Sequence, residues 1–188
     1  MIHHLAPNGK IGLVLANGAL STQSSGEGEI RKNIINADLV EGIVALPTQL
    51  FYSVTIPVTL WFISKNKKQK GKTLFIDARK MGYMVDRKHR DFTEEDIQKL
   101  ADTFESFQNG TLEEVKGFCA VADLQTIEKQ DYILTPGRYV GIEEQEDDGE
   151  PFEEKMARLT SELAGMFAKS HELEEEIRKK LGAIGYEI

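Results

Sequence analysis

Residues 43–67 read IVALPTQLFYSVTIPVTLWFISKNK, and this stretch decides the fold. Two apolar, β-branched runs, 39–46 and 56–64, flank a connector that opens at Pro47. Val, Ile, Trp and Phe in runs of this length suit a pleated, buried surface, and the proline removes a ladder donor and ends the first run. Both runs are therefore expected to be strands. The connector holds Leu50, Phe51 and Tyr52 and is unusually apolar for a loop.

Working outward toward the N-terminus, residues 10–16 (KIGLVLA) form a third apolar run. A Pro-Asn-Gly turn at 7–9 precedes it and Asn17-Gly18 closes it. That pattern predicts a strand buried on both faces. Residues 1–5 read as the end of a helix. Ser24 and Ser25 offer N-caps for a helix over 27–36, with Ile30, Ile34 and Ile35 on one side. In the other direction, lysine-rich 65–72 reads as a solvated turn and 73–76 as a fourth, short strand. The order strand, helix, strand, strand, strand fits an α/β sheet with a parallel crossover followed by antiparallel hairpins at an edge.

Beyond residue 78 the strand signals fade. Thr93 with Asp96 forms a capping-box pattern for a helix over 94–107, with Ile97, Leu100, Ala101 and Phe104 as its apolar stripe. Residues 118–121 read as a short strand, and Asp123 as the cap of a short helix reaching Gln130. Residues 131–140 read as extended, with a turn at Pro136-Gly137. The strongest periodicity spans 152–181. With Phe152 at a d position, Met156, Leu159, Leu163, Met166, Ser170, Leu173, Ile177, Lys180 and Ile184 follow at successive a and d positions, and eight of these ten are apolar. Gly182 is a natural stop. Such a helix is expected to pair with another helix, in this chain or in a partner.

The 188 residues carry a formal net charge of −8, which disfavours autonomous, non-specific nucleic-acid binding. The charge is uneven. Residues 65–90 hold ten Lys or Arg against Asp77 and Asp86, whereas 143–154 hold eight acids and no base. A solvated loop is the plain reading of each run; the basic one is also the single stretch suited to facing phosphates. No apolar run has the length of a membrane span, and nothing at the N-terminus resembles a signal peptide, so a soluble cytoplasmic protein is the expectation. One cysteine, Cys119, excludes a disulfide framework and a cysteine-rich zinc site; its apolar surroundings mark it as a small buried residue. His3 and His4 are adjacent and diverge on a helix, so no metal site is expected there. There is no phosphate-binding P-loop and no nucleophile elbow, and Gly26-Glu27-Gly28 is too short for a dinucleotide fingerprint. Asp77, after a strand, is the kind of acid found at the active edge of an α/β sheet, with a turn or cap role as the alternative.

LAPNGKIGLVLANGAL at 5–20, IRKNI at 30–34, residues 43–67, TLFIDAR at 73–79, FTEEDI at 92–97, FCAVADLQTIEKQDYILTPGRYVG at 118–141 and the C-terminal helix together resemble the modification (methyltransferase) subunit of type I restriction–modification systems. The order and spacing of these blocks carry the resemblance, which covers essentially the whole chain. It implies an α/β fold: the C-terminal part of an S-adenosylmethionine-dependent, Rossmann-like methyltransferase sheet, then a helical region and a long C-terminal helix. Members of the family methylate N6 of adenine in DNA, on a flipped base held by an Asn/Asp-Pro-Pro-aromatic motif, with a glycine-rich loop cradling the cofactor. Neither motif occurs here. In the family both precede the region this chain resembles, so the chain is expected to be inactive alone, with S-adenosylmethionine bound only by the intact subunit.

Within that resemblance, 1–80 would be the sheet portion, 81–142 a mixed connecting region, and 143–188 an acidic linker with the assembly helix. Residues 10–16 would be the fifth strand of the sheet, and the two strands of 43–67 the final antiparallel pair. Asn17 and Gly18 would lie at the carboxyl edge, where such sheets bind ligands, a plain turn being the alternative. Phe51 would stack on the extruded base, as an aromatic at this place does in related amino-methyltransferases, with closure of the core under its loop as the alternative; Thr55 and Pro57 would shape that loop. The basic run 65–90, with Lys65, Lys67, Lys68, Lys70 and Lys72 as the leading candidates, would face DNA phosphates or the specificity subunit. Met156, Leu159, Leu163, Met166, Leu173 and Ile177 would form the subunit interface. The implied partners are the specificity subunit, through it the restriction subunit, and DNA in the assembled complex; no membrane is implied. A non-catalytic interaction module, pairing with a specificity subunit or with itself, is the alternative function.

Overall fold

The computed structural model describes residues 1–51, 55–142 and 151–186. The chain divides into two compact units, Met1–Glu144 and Gln145–Ile188. The first is built on strands β1 (Lys10–Ala16), β2 (Val40–Ala45), β3 (Val58–Ser64), β4 (Lys72–Asp77) and β7 (Cys119–Asp123), with a small hairpin of β5 (Tyr83–Met84) and β6 (Arg90–Asp91). Its helices are α1 (Glu27–Asn36), α2 (Glu94–Asn109) and α3 (Leu124–Lys129). The large sheet runs β1-β3-β2-β4-β7. Residues 81–142, read from sequence as a connecting region, thus deliver a strand to the same sheet.

β3 lies antiparallel between β1 and β2, as expected for the pair at 43–67, with Trp61 opposite both Leu13 and Ile43. The expected second hairpin does not form. β4 pairs parallel with β2 on its far side, and β7 closes antiparallel on β4. The link 65–71 passes the amino end of β2, pinned to Asp38 just before that strand. There Asp38 accepts from Lys67 Nζ at 2.5 Å and from the Gly71 amide at 2.9 Å. Lys67 is therefore only 4% exposed, a correction to the solvated turn expected at 65–72. Asp38 adopts φ 53° to make this staple.

Side chains alternate between two core layers, as the period of two requires. Ile43, Trp61 and Phe75 point into one layer, closed by Leu20, Ile35, Ile127 and Leu134. Val44, Val58, Leu74 and Ile76 point into the other, against Phe107 and the partly buried Leu100 and Phe104 of α2. The buried line of α2 runs through Thr103 and Phe107, displaced from the expected stripe, and Ile97 and Ala101 are exposed. β2 and β4 are covered on both faces, whereas β1 alternates exposed and half-buried residues. The expectation that 10–16 is buried on both faces is thus corrected. Among the described residues β1 pairs only with β3; Leu13 and Leu15 pack against the first layer, and Val14 on the other face is 46% exposed.

The capping box of α2 forms as read: Thr93 Oγ1 accepts from the Asp96 amide at 3.1 Å, and Asp96 returns the bond to the Thr93 amide at 3.0 Å. Asp123 caps α3 by accepting from the Thr126 amide at 2.8 Å. α1 starts where expected, but its cap is Gly26 at φ 80°, without a side-chain bond from either serine. Ile35 is buried, Ile30 is exposed, and the face is completed by buried Arg31, whose guanidinium donates to the carbonyls of Tyr132, Ala19 and Thr22. Residues 1–5 form a short 3₁₀ turn in place of an α-helical end.

Among its described residues the second unit holds one helix, α4 (Phe152–Ala183), which matches the span read from its heptads. Arg178 pairs with Glu174 at 2.9 Å and Lys180 with Glu176 at 2.5 Å along the helix. The acidic run at 143–150 lies outside the described residues. Among the described residues, no helix is long and apolar enough to cross a membrane, and no cluster of acids, histidine or cysteine suits a metal ion.

Candidate functional site

β1, β2 and β4 run in one direction, so their carboxyl ends meet at one edge of the sheet, and β3 begins there. The register sets Ala16 opposite Val58, and Ala45 opposite both Thr59 and Asp77. The Asn17 amide donates to the Pro57 carbonyl at 3.4 Å, Leu46 to Val58 at 3.0 Å, and Ala78 to Ala45 at 2.9 Å. One edge thus collects Asn17, Gly18, the loop bearing Phe51, Thr55 and Pro57, and the turn after β4. In open α/β sheets this is the edge at which ligands bind.

Each side chain there has a distinct state. Asn17 Oδ1 is buried and, among the described residues, has no hydrogen-bond partner. A buried carbonyl oxygen without a donor costs free energy, so Asn17 is an unsatisfied acceptor at the end of β1. Gly18 is exposed, at the start of a 3₁₀ turn over Asn17–Leu20. Phe51 is 44% exposed and does not close the core beneath its loop. Thr55 is exposed and Pro57 half-buried; the intervening 52–54 lie outside the described residues. Asp77 takes the turn role: its carboxylate accepts from the Arg79 amide and is gripped by the Arg79 guanidinium at 2.5 to 3.1 Å. That hydrogen bond also raises the Arg79 pKa.

The basic run is split by the fold. Lys65, Lys67, Lys68, Lys70 and Lys72 lie between the end of β3 and the start of β4, at the amino edge. They are a strand length, roughly 20 Å, from Phe51. Lys65 donates to the Leu5 carbonyl and Lys68 to Asn109, while Lys67 is held by Asp38. The other half of the run, Arg79 to Arg90, sits at the carboxyl edge on the β5–β6 hairpin and the turn before it. That hairpin is tied to the Phe51 loop through Gln49, which adopts φ 67°. The Arg90 amide donates to the Gln49 carbonyl at 2.8 Å, and Gln49 Nε2 donates to the Arg87 carbonyl at 3.4 Å. Sequence reasoning missed this contact because two-residue strands carry no periodicity; Gly82 was the one local sign. At φ 80° a Cβ there would lie 2.6 Å from the Asp91 carbonyl oxygen.

The model for the N-6 DNA methylase family matches residues 1–148. The chain belongs to the N-6 DNA methylase family. Among its relatives in that family, it is 60% identical over 188 residues to the type I restriction enzyme HindI methylase subunit of Haemophilus influenzae, covering all of this chain and 42% of the relative. It is 48% identical over 190 residues to the MjaIX methylase subunit of Methanocaldococcus jannaschii, covering 98% of this chain and 34% of the relative. The chain therefore spans less than half the length of these N-6 methylases. Its structure matches the type I restriction–modification methyltransferase subunit of Streptococcus thermophilus with a TM-score of 0.65 and 28% identity, over 73% of this chain and 28% of that one. The EcoKI M protein matches with a TM-score of 0.58 over 94% of this chain and 42% of that one; at 17% identity it supports the methylase fold alone.

Proposed function

We propose that this chain is part of the DNA adenine-N6 methyltransferase subunit of a type I restriction–modification system, and that its carboxyl edge forms the target-base side of the active site. The observation that carries the reading is the gathering of Asn17 and the exposed Phe51 at one edge of a methyltransferase-like sheet. An aromatic face is the simplest platform for an extruded base, worth about 1–3 kcal/mol per stacked base. Asn17 adds an unsatisfied amide oxygen on the same edge, and Thr55 and Pro57 set the path of the loop back into β3.

The residues at this edge do not fit the cofactor. Asp77, the acid at the end of β4, is occupied by Arg79, and Gly18 opens a 3₁₀ turn after β1 with no glycine-rich loop between a strand and an α-helix. S-adenosylmethionine is accordingly held by other parts of the intact subunit, and this chain alone is not catalytic. A second role is supported by α4, whose seam residues Met156, Leu159, Leu163, Met166, Leu173 and Ile177 are between 43% and 66% exposed. These residues assemble the subunit with the specificity subunit, and through it with the restriction subunit.

The test is Phe51→Ala in the full-length subunit assembled with its specificity subunit. Methylation of adenine in DNA is expected to fall at least tenfold, about 1.4 kcal/mol, with the dissociation constant for S-adenosylmethionine unchanged. A variant that methylates at the parent rate removes Phe51 from the site.

A further inference from the structure

We infer that the β5–β6 hairpin is a phosphate-contacting element of the same site: Arg87 and Lys88, at its tip, bind the DNA backbone flanking the extruded base. The inference rests on the methyltransferase reading above and adds to it a specific contact surface.

Four observations carry it. The first is position. The hairpin hangs from the Phe51 loop by two bonds through Gln49, two residues from Phe51, so its tip lies on the carboxyl edge and not with Lys65–72. The second is charge. Between 79 and 90 there are five Lys or Arg and a single acid, Asp86, in a chain of net charge −8. That acid is spent on the turn: its carboxylate accepts from the Lys88 amide at 2.7 Å and from the His89 amide at 2.8 Å. These bonds hold the Asp86 carboxyl below its usual range and shape the tip. The third is exposure. Arg87 and Lys88 are exposed, together with the apolar Tyr83, Met84 and Val85. The fourth is rigidity at the base. Arg90 turns inward and donates to the carbonyls of Met81 and Gly82 at 3.1 and 3.2 Å, and positive-φ Gly82 packs against the Asp91 carbonyl. Arg90 thus serves the hairpin, leaving Arg87 and Lys88 to face outward.

A preformed cationic tip costs little ordering entropy on binding a polyanion, and each phosphate it neutralises releases condensed counterions. Such contacts fix the position of a duplex without reading its sequence. In this geometry they hold the backbone beside the place where a base must leave the stack, which is where the duplex is distorted most.

The experiment uses the full-length subunit assembled with its specificity subunit and a mixed-sequence duplex DNA as probe. Dissociation constants are measured by fluorescence anisotropy across a salt series for the parent, for Arg87→Gln/Lys88→Gln, and for Lys68→Gln/Lys70→Gln at the opposite edge. The tip is shaped by backbone bonds to Asp86, so the first variant keeps the hairpin. It is expected to weaken duplex binding about tenfold and to lower the slope of log K against log salt by about two, with S-adenosylmethionine affinity and subunit assembly unchanged. The Lys68/Lys70 variant is expected to leave the slope near the parent value. An unchanged slope in the hairpin variant, or an equal drop in both variants, overturns the inference. Loss of the specificity subunit from the hairpin variant also overturns it and makes the hairpin a protein interface. A parent assembly that binds duplex DNA without methylating it sinks the methyltransferase reading and leaves the hairpin contact standing on its own slope; a parent that does not bind sinks both.

Discussion

Tyr139 shows how one side chain couples two parts of the core. Its ring stacks on Phe75 of β4 with centroids 3.8 Å apart and planes 9° apart. Its hydroxyl donates to the Ile133 carbonyl at 2.5 Å. Burial pushes the phenol up from 10 to about 12. A group whose pKa rises on folding stabilises the fold fully below its unfolded value, and that contribution is lost as pH climbs toward the folded value. The loss therefore falls between pH 10 and about 12. Tyr139→Phe keeps the stack and removes the donor, so it is expected to cost about 1 kcal/mol in denaturant unfolding at neutral pH. The variant is also expected to lose less stability than the parent between pH 10 and 12; equal losses in the two proteins refute the assignment. Cys119 follows the same physics: it is buried, as its apolar neighbours implied, and burial raises its thiol pKa, so it is not a reactive thiolate.

At the scale of elements, the capping signals of α2 and α3 held, while the serine cap of α1 and the partnerships of the strands did not. The caps of α2 and α3 were legible because a Thr or Asp three residues before its amide partner is a contact within one turn. The apolar stripe of α2 was displaced because the sheet, and not the helix, decides which side is covered. α4 is the clearest case. Its heptads specify a helix, and its seam is exposed. A continuous apolar stripe of this length seeks a partner, while Ser170 and Lys180 weaken a uniform zipper and help set register. The parent chain is expected to self-associate in sedimentation experiments. Replacing Leu159, Leu163 and Leu173 with Lys is expected to give a monomer that no longer retains the specificity subunit in a pull-down. A triple variant that still retains it places the interface elsewhere.

At the scale of the molecule, the sheet is open at β1, which among the described residues pairs only with β3 and keeps Val14 exposed. An unpaired edge and a half-covered face are the features a further strand and helix layer would close. The chain spans 42% of the HindI methylase subunit and 34% of the MjaIX subunit, so the intact proteins have ample further sequence for that purpose. Calorimetric titration of this chain alone with S-adenosylmethionine is expected to give no binding in the micromolar range, where the affinity is about −8 kcal/mol. A micromolar dissociation constant contradicts the division of labour proposed above.

The amino-acid sequence by itself determined the strands of the large sheet and the three longer helices, the side-chain caps of α2 and α3, and the family to which the chain belongs. Each of these depends on neighbours within a turn or on the spacing of whole blocks. Tertiary structure alone decided that β4 lies beside β2 and not beside β3, with the staple from Asp38 to Lys67 and Gly71 holding the link as it passes the amino end of β2. It also decided that ten cations contiguous in sequence belong to two opposite edges. Charge patterning along a chain records composition; which end of a sheet a residue occupies depends on strand direction, and strand direction is set by pairings between residues far apart in sequence. For the same reason the hairpin beside Phe51 was not legible: two bonds from Gln49, made across some forty residues, put it there.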